Sequence, residues 1–133
     1  MSALELAQSL IKIKSVSPND KGCFDLIEAQ LIPLGFVIER VPELNCETLL
    51  AKFGDSGKVF CFLGHTDIVP SGPEEEWASP PFEANIVDGE LIGRGAADMK
   101  GSVAVFIESL KKFLKEHPKP NFQIWIMLTS NEE

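Results

Sequence analysis

Apolar residues recur at helical spacing in three parts of the chain, and each part is bounded by residues that start or stop helices. Ser2 and Glu5 form a capping box ahead of the first part. Asp98 can cap the last part, which His117 and Pro118 end. Helices are therefore predicted over residues 3–14, from about residue 23 to residue 31, and from residue 98 to residue 117.

Four runs rich in β-branched and aromatic residues predict strands between turns that contain Pro or Gly. Asp88-Gly89 is a typical hairpin turn, and Pro42 is expected to end the first strand. The run from Val59 to Leu63 is apolar throughout, which predicts a strand covered on both faces. Strands are predicted over residues 36–41, 48–53, 59–63 and 122–128, with a hairpin over residues 84–91. Helices that alternate with strands indicate an α/β fold with a mixed central sheet flanked by helices.

The chain has 133 residues and a net charge of −8, from 12 basic and 20 acidic residues. This acidic balance disfavours nucleic acid as a partner, because binding along phosphates needs basic residues. No apolar run is long enough to span a membrane. Three widely spaced cysteines without a C-x-x-C pair favour reduced thiols in a cytoplasmic protein. Cys61 is expected in the core because it lies inside an apolar run.

Three groups of polar residues follow apolar segments and are candidates for a functional site. They are His65 with Asp67, Asp98, and Glu132 with Glu133. Each group alone has an ordinary explanation, namely a loop histidine beside a turn aspartate, a helix cap, and a solvated acidic segment. Because ligands in α/β sheets gather outside the carboxyl ends of strands, the combination favours a single site. One imidazole with several carboxylates suits a divalent metal that serves hydrolysis.

Three motif blocks follow one another along the chain: Gly64 to Pro70, Gly93 to Gly101, and Thr129 to Glu133. With these blocks the sequence resembles the di-zinc aminoacylase and carboxypeptidase family of metallohydrolases. The resemblance extends over the whole chain. It implies an α/β zinc-binding catalytic domain, which in this family is interrupted by a smaller α+β dimerisation domain.

The resemblance also implies a role for each candidate residue. His65 would bind one zinc ion, Asp98 would bridge both ions, and Glu133 would bind the other. Glu132 would be the general base, and Asp67 would support His65 and the base chemistry. The peptide bond between Asp98 and Met99 is expected to be cis. Cobalt or manganese would fit similar ligands.

The family takes one more carboxylate ligand and one more histidine ligand from later sequence. Residues 1–133 are therefore expected to form an incomplete catalytic domain that lacks the dimerisation domain and is inactive alone. The full-length protein is expected to be a homodimeric, metal-dependent amidohydrolase acting on a small succinylated diamino acid. Two alternatives stay open: a family member that hydrolyses acetylated amines or dipeptides, and a non-catalytic α/β module.

Overall fold

Three α-helices pack against one face of a four-stranded sheet in the computed structural model, which describes residues 1–133. The helices are α1 (Ala3–Ile11), α2 (Cys23–Leu31) and α3 (Gly101–Glu116). The strands are β1 (Val37–Glu43), β2 (Cys46–Phe53), β3 (Val59–His65), β4 (Ile86–Val87), β5 (Glu90–Leu91) and β6 (Gln123–Thr129). Short 3-10 turns cover Ile32–Leu34 and Glu74–Glu76, and a π-type turn covers Ala96–Lys100. No helix is both long and apolar enough to cross a membrane.

The main sheet is mixed, with the strand order β1-β2-β6-β3. Strand β2 pairs antiparallel with both β1 and β6, whereas β3 pairs parallel with β6. The parallel register places His65 opposite Thr129. The carboxyl ends of β3 and β6 therefore meet at one edge of the sheet, where the segments that follow both strands lie side by side. The predicted α/β fold with a mixed central sheet is confirmed.

The hydrophobic core lies between the helices and alternate residues of β2 and β6. The buried strand residues are Leu49, Ala51, Ile124, Ile126 and Leu128. The helical spacing of apolar residues predicted for α2 is confirmed, because Phe24, Ile27 and Leu31 are fully buried on one face. The capping box of Ser2 and Glu5 is present at the start of α1.

Strand β3 is not covered on both faces, so that prediction is wrong. It is an edge strand, and the side chains of Val59, Phe60 and Leu63 are 46%, 55% and 67% exposed. Only its helix-facing side has a partner, where the ring of Phe62 stacks on Phe106 with centroids 4.1 Å apart. Cys61 lies on the uncovered side and is exposed, which corrects its expected place in the core. Apolar composition alone did not distinguish a central strand from an edge strand.

Two element ends differ from the prediction, one because of a distant side chain and one because of the position of a strand in the sheet. Helix α1 ends at Ile11 instead of continuing to residue 14, because Lys100 Nζ donates to the carbonyls of Leu10 and Ile13 and satisfies this end of the helix. Strand β1 continues through Pro42. Proline is tolerated there because β1 lies at the edge of the sheet and forms hydrogen bonds with a neighbouring strand on one side only.

Helix α3 begins at Gly101, so the prediction that Asp98 caps it is wrong. Asp98 has a non-helical backbone, with φ −128° and ψ 96°. The predicted hairpin is present as the short pair β4 and β5, and its turn residues Asp88 and Gly89 both have positive φ, at 51° and 85°. That combination is the one a two-residue hairpin turn requires.

Candidate metal centre

His65 is the last residue of β3 and is buried, with 4% of its surface exposed. Its Nδ1 lies 3.0 Å from the main-chain oxygen of Asp67. Because a carbonyl only accepts hydrogen bonds, this contact places a proton on Nδ1 and leaves Nε2 with a free lone pair in the neutral ring. Nε2 lies at the opening of the site, 3.1 Å from Asp98 Oδ1 and 3.7 Å from Glu132 Oε2. The imidazole is therefore oriented as a metal ligand would be.

The carboxylate of Asp67 is fully buried and holds the segment that follows β6. It accepts hydrogen bonds from the backbone N–H of Glu132 at 3.0 and 3.1 Å and from that of Glu133 at 3.1 Å. It also accepts one from the hydroxyl of Ser17. The Oδ1 atom of Asp67 lies 3.5 Å from His65 Nδ1, which is farther than the 3.0 Å between Nδ1 and the main-chain oxygen of Asp67. Asp67 thus orients His65 through its backbone and orients the two glutamates through its side chain.

Asp98 lies in the turn between Gly95 and α3, and its side chain is 76% exposed. The peptide bond from Asp98 to Met99 is cis, as the resemblance implies. Two residues later, the fully buried Lys100 donates from Nζ to Leu10 and Ile13, at 2.8 and 2.7 Å. Burial lowers the pKa of Lys100. This buried anchor ties the turn that carries Asp98 to the end of α1.

Three carboxylates converge on the single imidazole. One ligand atom from each of His65, Glu132 and Glu133 lies within 4.8 Å of the others, and Asp98 Oδ1 lies 3.1 Å from His65 Nε2. No Lys or Arg forms an ion pair with these carboxylates. Crowded like charges of this kind are relieved by a cation, and imidazole with carboxylates is a donor set that zinc accepts. The residues present therefore fit a divalent metal.

A cleft of about 430 Å³ opens beside the imidazole. Its lining includes the polar residues His65 and Glu132 and the apolar residues Leu63, Met99 and Met127. Gly64 forms part of the wall, and a Cβ there would come within 3.0 Å of Met99 and 3.1 Å of Leu128. The absence of a side chain at residue 64 keeps this wall closely packed beside the site.

The structure brings together every residue that the sequence predicts for the site: His65, Asp67, Asp98, Glu132 and Glu133. Two supporting residues were missed. The sequence around Ser17 predicts only a turn that ends a helix, and a lysine such as Lys100 is ordinarily exposed. The one available signal was the position of Lys100 in a run of small residues before an amphipathic helix. His117 is exposed at the far end of α3, where its ring is tilted against that of Phe113, with centroids 4.9 Å apart.

Residues 61–133 match the sequence profile of Peptidase family M20/M25/M40. The chain is 49% identical over 130 residues to the succinyl-diaminopimelate desuccinylase of Marinobacter nauticus, and 50% identical over 131 residues to that of Hydrogenovibrio crunogenus. Each alignment covers 98% of this chain and 35% of the relative. The chain thus spans about a third of the length of these curated relatives.

Solved structures give the same fold at lower identity. Human carnosine dipeptidase 1 superimposes with a TM-score of 0.84 and 24% identity, over 98% of this chain and 32% of its own. The metallo-carboxypeptidase Sso-CP2 of Sulfolobus solfataricus superimposes with a TM-score of 0.80 and 20% identity, over 96% of this chain and 30% of its own. At these identities the likeness establishes the architecture alone.

Proposed function

Because this chain belongs to Peptidase family M20/M25/M40, we propose that it is the N-terminal part of a zinc-dependent amidohydrolase. The proposed reaction is hydrolysis of N-succinyl-LL-2,6-diaminopimelate to succinate and LL-2,6-diaminopimelate, a step of lysine and diaminopimelate biosynthesis. The proposed substrate rests on about 50% sequence identity to named desuccinylases along nearly the whole chain. The convergence of one histidine and three carboxylates supports the reaction type.

We assign the metal-binding role to His65, Asp98 and Glu133. His65 offers the lone pair of Nε2, and Oδ1 of Asp98 lies 3.1 Å from that nitrogen. Residues 1–133 would then be part of a catalytic domain whose remaining ligands lie outside this chain. Two zinc ions, with cobalt as a substitute, would supply polarisation of the scissile carbonyl and a more acidic attacking water when bound.

Glu132 is the proposed general base. Its carboxylate is 59% exposed at the mouth of the cleft and lies 3.7 Å from His65 Nε2. From this place it can accept a proton from the attacking water and then deliver it to the amine that leaves. Asp67 holds Glu132 in place through the backbone N–H, so the side chain of Glu132 stays free for proton transfer.

The isolated chain is proposed to be inactive. Asp98 and Glu132 are 76% and 59% exposed, so bulk water reaches the groups that would stabilise the transition state. Charge stabilisation is strongest where water is excluded, and nothing in residues 1–133 covers this side of the site. We propose that the full-length enzyme is a cytoplasmic homodimer whose remaining sequence supplies that cover.

The test begins with the reading frame downstream of codon 133, which we expect to continue. The encoded protein should hydrolyse the succinylated substrate far faster than an acetylated amine or a dipeptide. Preference for either of the latter would reassign the substrate, and absence of hydrolysis with two zinc ions bound would favour a non-catalytic module. The variant Glu132→Gln should lower kcat by about 10²–10⁴-fold with zinc content unchanged. Glu76→Gln, an exposed acid outside the site, is the matched control.

A further inference from the structure

Ser17 is joined to the site although it belongs to neither of the strands that carry it. Its hydroxyl donates to Oδ2 of Asp67, the oxygen that also accepts from the backbone of Glu132 and Glu133. Asp67 is fully buried and Ser17 is half-buried. Asp67 is therefore the single residue between Ser17 and the two glutamates, and bulk water does not reach its carboxylate to replace a lost donor.

The segment around Ser17 is held firmly by main-chain contacts. Ser17 N donates to the carbonyl of Ile68 at 3.2 Å, and Ile68 N donates to the carbonyl of Ser15 at 3.0 Å. The hydroxyl of Ser15 donates to the carbonyl of Thr66 at 2.7 Å. On the other side, Ser130 Oγ donates to the carbonyl of Pro18 at 2.9 Å. Residues 15–18 thus bridge the segments that follow β3 and β6.

We propose that Ser17 is a positioning residue for the metal centre. Its hydroxyl fixes the rotation of the Asp67 carboxylate, and the carboxylate in turn fixes the turn that places Glu132 and Glu133 beside His65. A buried carboxylate that accepts several hydrogen bonds is held in one orientation. A carboxylate that has lost one of these donors is restrained less and can rotate. The importance of this geometry for metal binding rests on the proposed function, but the geometric link from Ser17 to the two backbone amides does not.

The test compares three variants of the 14.6 kDa chain. Ser17→Ala removes the hydroxyl, Ser17→Thr keeps it, and Ser15→Ala removes a neighbouring hydroxyl that contacts a main-chain carbonyl instead of Asp67. The first readout is the position of the amide resonances of Glu132 and Glu133 in ¹H–¹⁵N spectra without metal. The second is zinc affinity by calorimetry.

We expect Ser17→Ala to shift both amide resonances and to weaken zinc binding by about 10- to 100-fold, the usual effect of losing a group that orients a ligand. Ser17→Thr should keep both properties of the wild type, and Ser15→Ala should keep both amide positions. If Ser17→Ala does not fold, Ser17→Cys carries the same comparison, because a thiol is only a weak donor.

Two results would overturn the assignment to Ser17: amide resonances that stay in place in Ser17→Ala, or equal changes in Ser15→Ala. If the wild-type chain and the full-length enzyme both bind no zinc, the proposed metal centre is wrong, and the amide resonances alone decide the role of Ser17. Shifted amides with unchanged zinc affinity would show that the link exists but does not serve the metal, which contradicts the proposal.

Discussion

The two halves of the candidate site are built in opposite ways. His65 and Asp67 are buried, and every polar atom of the Asp67 carboxylate has partners inside the protein. Asp98 and Glu132 are mostly exposed, and their carboxylates contact little besides the imidazole. The buried half is held by hydrogen bonds that also hold the fold, whereas the exposed half is placed only by its backbone. Substitutions in the buried half should therefore change stability, and those in the exposed half should change metal binding alone.

The largest expected effect comes from Asp67→Ala. This change removes the acceptor of Glu132 N–H, Glu133 N–H and the hydroxyl of Ser17, so the free energy of unfolding should fall by about 3 kcal/mol. Urea unfolding followed by circular dichroism measures it. Asp55→Ala, an exposed aspartate in a turn, should change stability by less than about 0.5 kcal/mol. Equal effects from the two variants would remove the distinction between the halves.

A second prediction tests the anchor below Asp98. Lys100→Met removes the two charge-assisted hydrogen bonds to the carbonyls of Leu10 and Ile13, which keep only their backbone donors, and this should lower the free energy of unfolding by about 2 kcal/mol. Replacing Lys112, which is exposed on α3, by Met should have little effect. A stability of Lys100→Met equal to that of the wild type would show that the anchor contributes nothing.

The same lysine makes a prediction about pH. Burial places the folded pKa of Lys100 below its ordinary value of 10.5, so the unfolded chain binds more protons in the interval between the two values. The wild type should therefore gain stability as pH rises through that interval, and Lys100→Met should lack this gain. Unfolding curves at a series of pH values from about 8 to about 10 measure the difference. If stability changed with pH in the same way in the wild type and in Lys100→Met, burial of Lys100 would not be the cause of the gain.

Asp98→Asn should have the smallest effect on the fold. Its side chain is 76% exposed, so the free energy of unfolding should change by less than about 0.5 kcal/mol. Zinc affinity should nevertheless fall at least about tenfold, because the amide carries no charge. Asp55→Asn is the matched control for both measurements. A large loss of stability in Asp98→Asn would show that the exposed half also holds the fold.

Hydrophobic periodicity predicted most of the elements, because helices α2 and α3 and strands β2 and β6 bury their apolar residues within the chain itself. It did not predict the exposure of β3, since the position of a strand within a sheet depends on the pairing of distant segments. The residues of the site were all visible as polar groups after apolar runs. The contacts that support the site could not be predicted, because the hydrogen bond from Ser17 to Asp67 joins residues 50 positions apart.

The position of Asp98 shows a different limit of prediction from sequence. As a residue before an amphipathic helix it has the ordinary pattern of a cap, and local rules favour that interpretation. The chain instead turns at Gly95 and begins the helix at Gly101, which directs the carboxylate toward His65. A distant partner thus overrode a local preference, as is common at functional sites.

The most direct test of the metal centre is a zinc titration of the chain by calorimetry, with His65→Ala and His117→Ala compared. His65 is the one imidazole in the carboxylate cluster, whereas His117 is exposed on the far end of α3. We predict that His65→Ala loses at least about 100-fold in zinc affinity and that His117→Ala keeps the affinity of the wild type. Equal zinc binding by His65→Ala and the wild type would contradict a metal centre at this site.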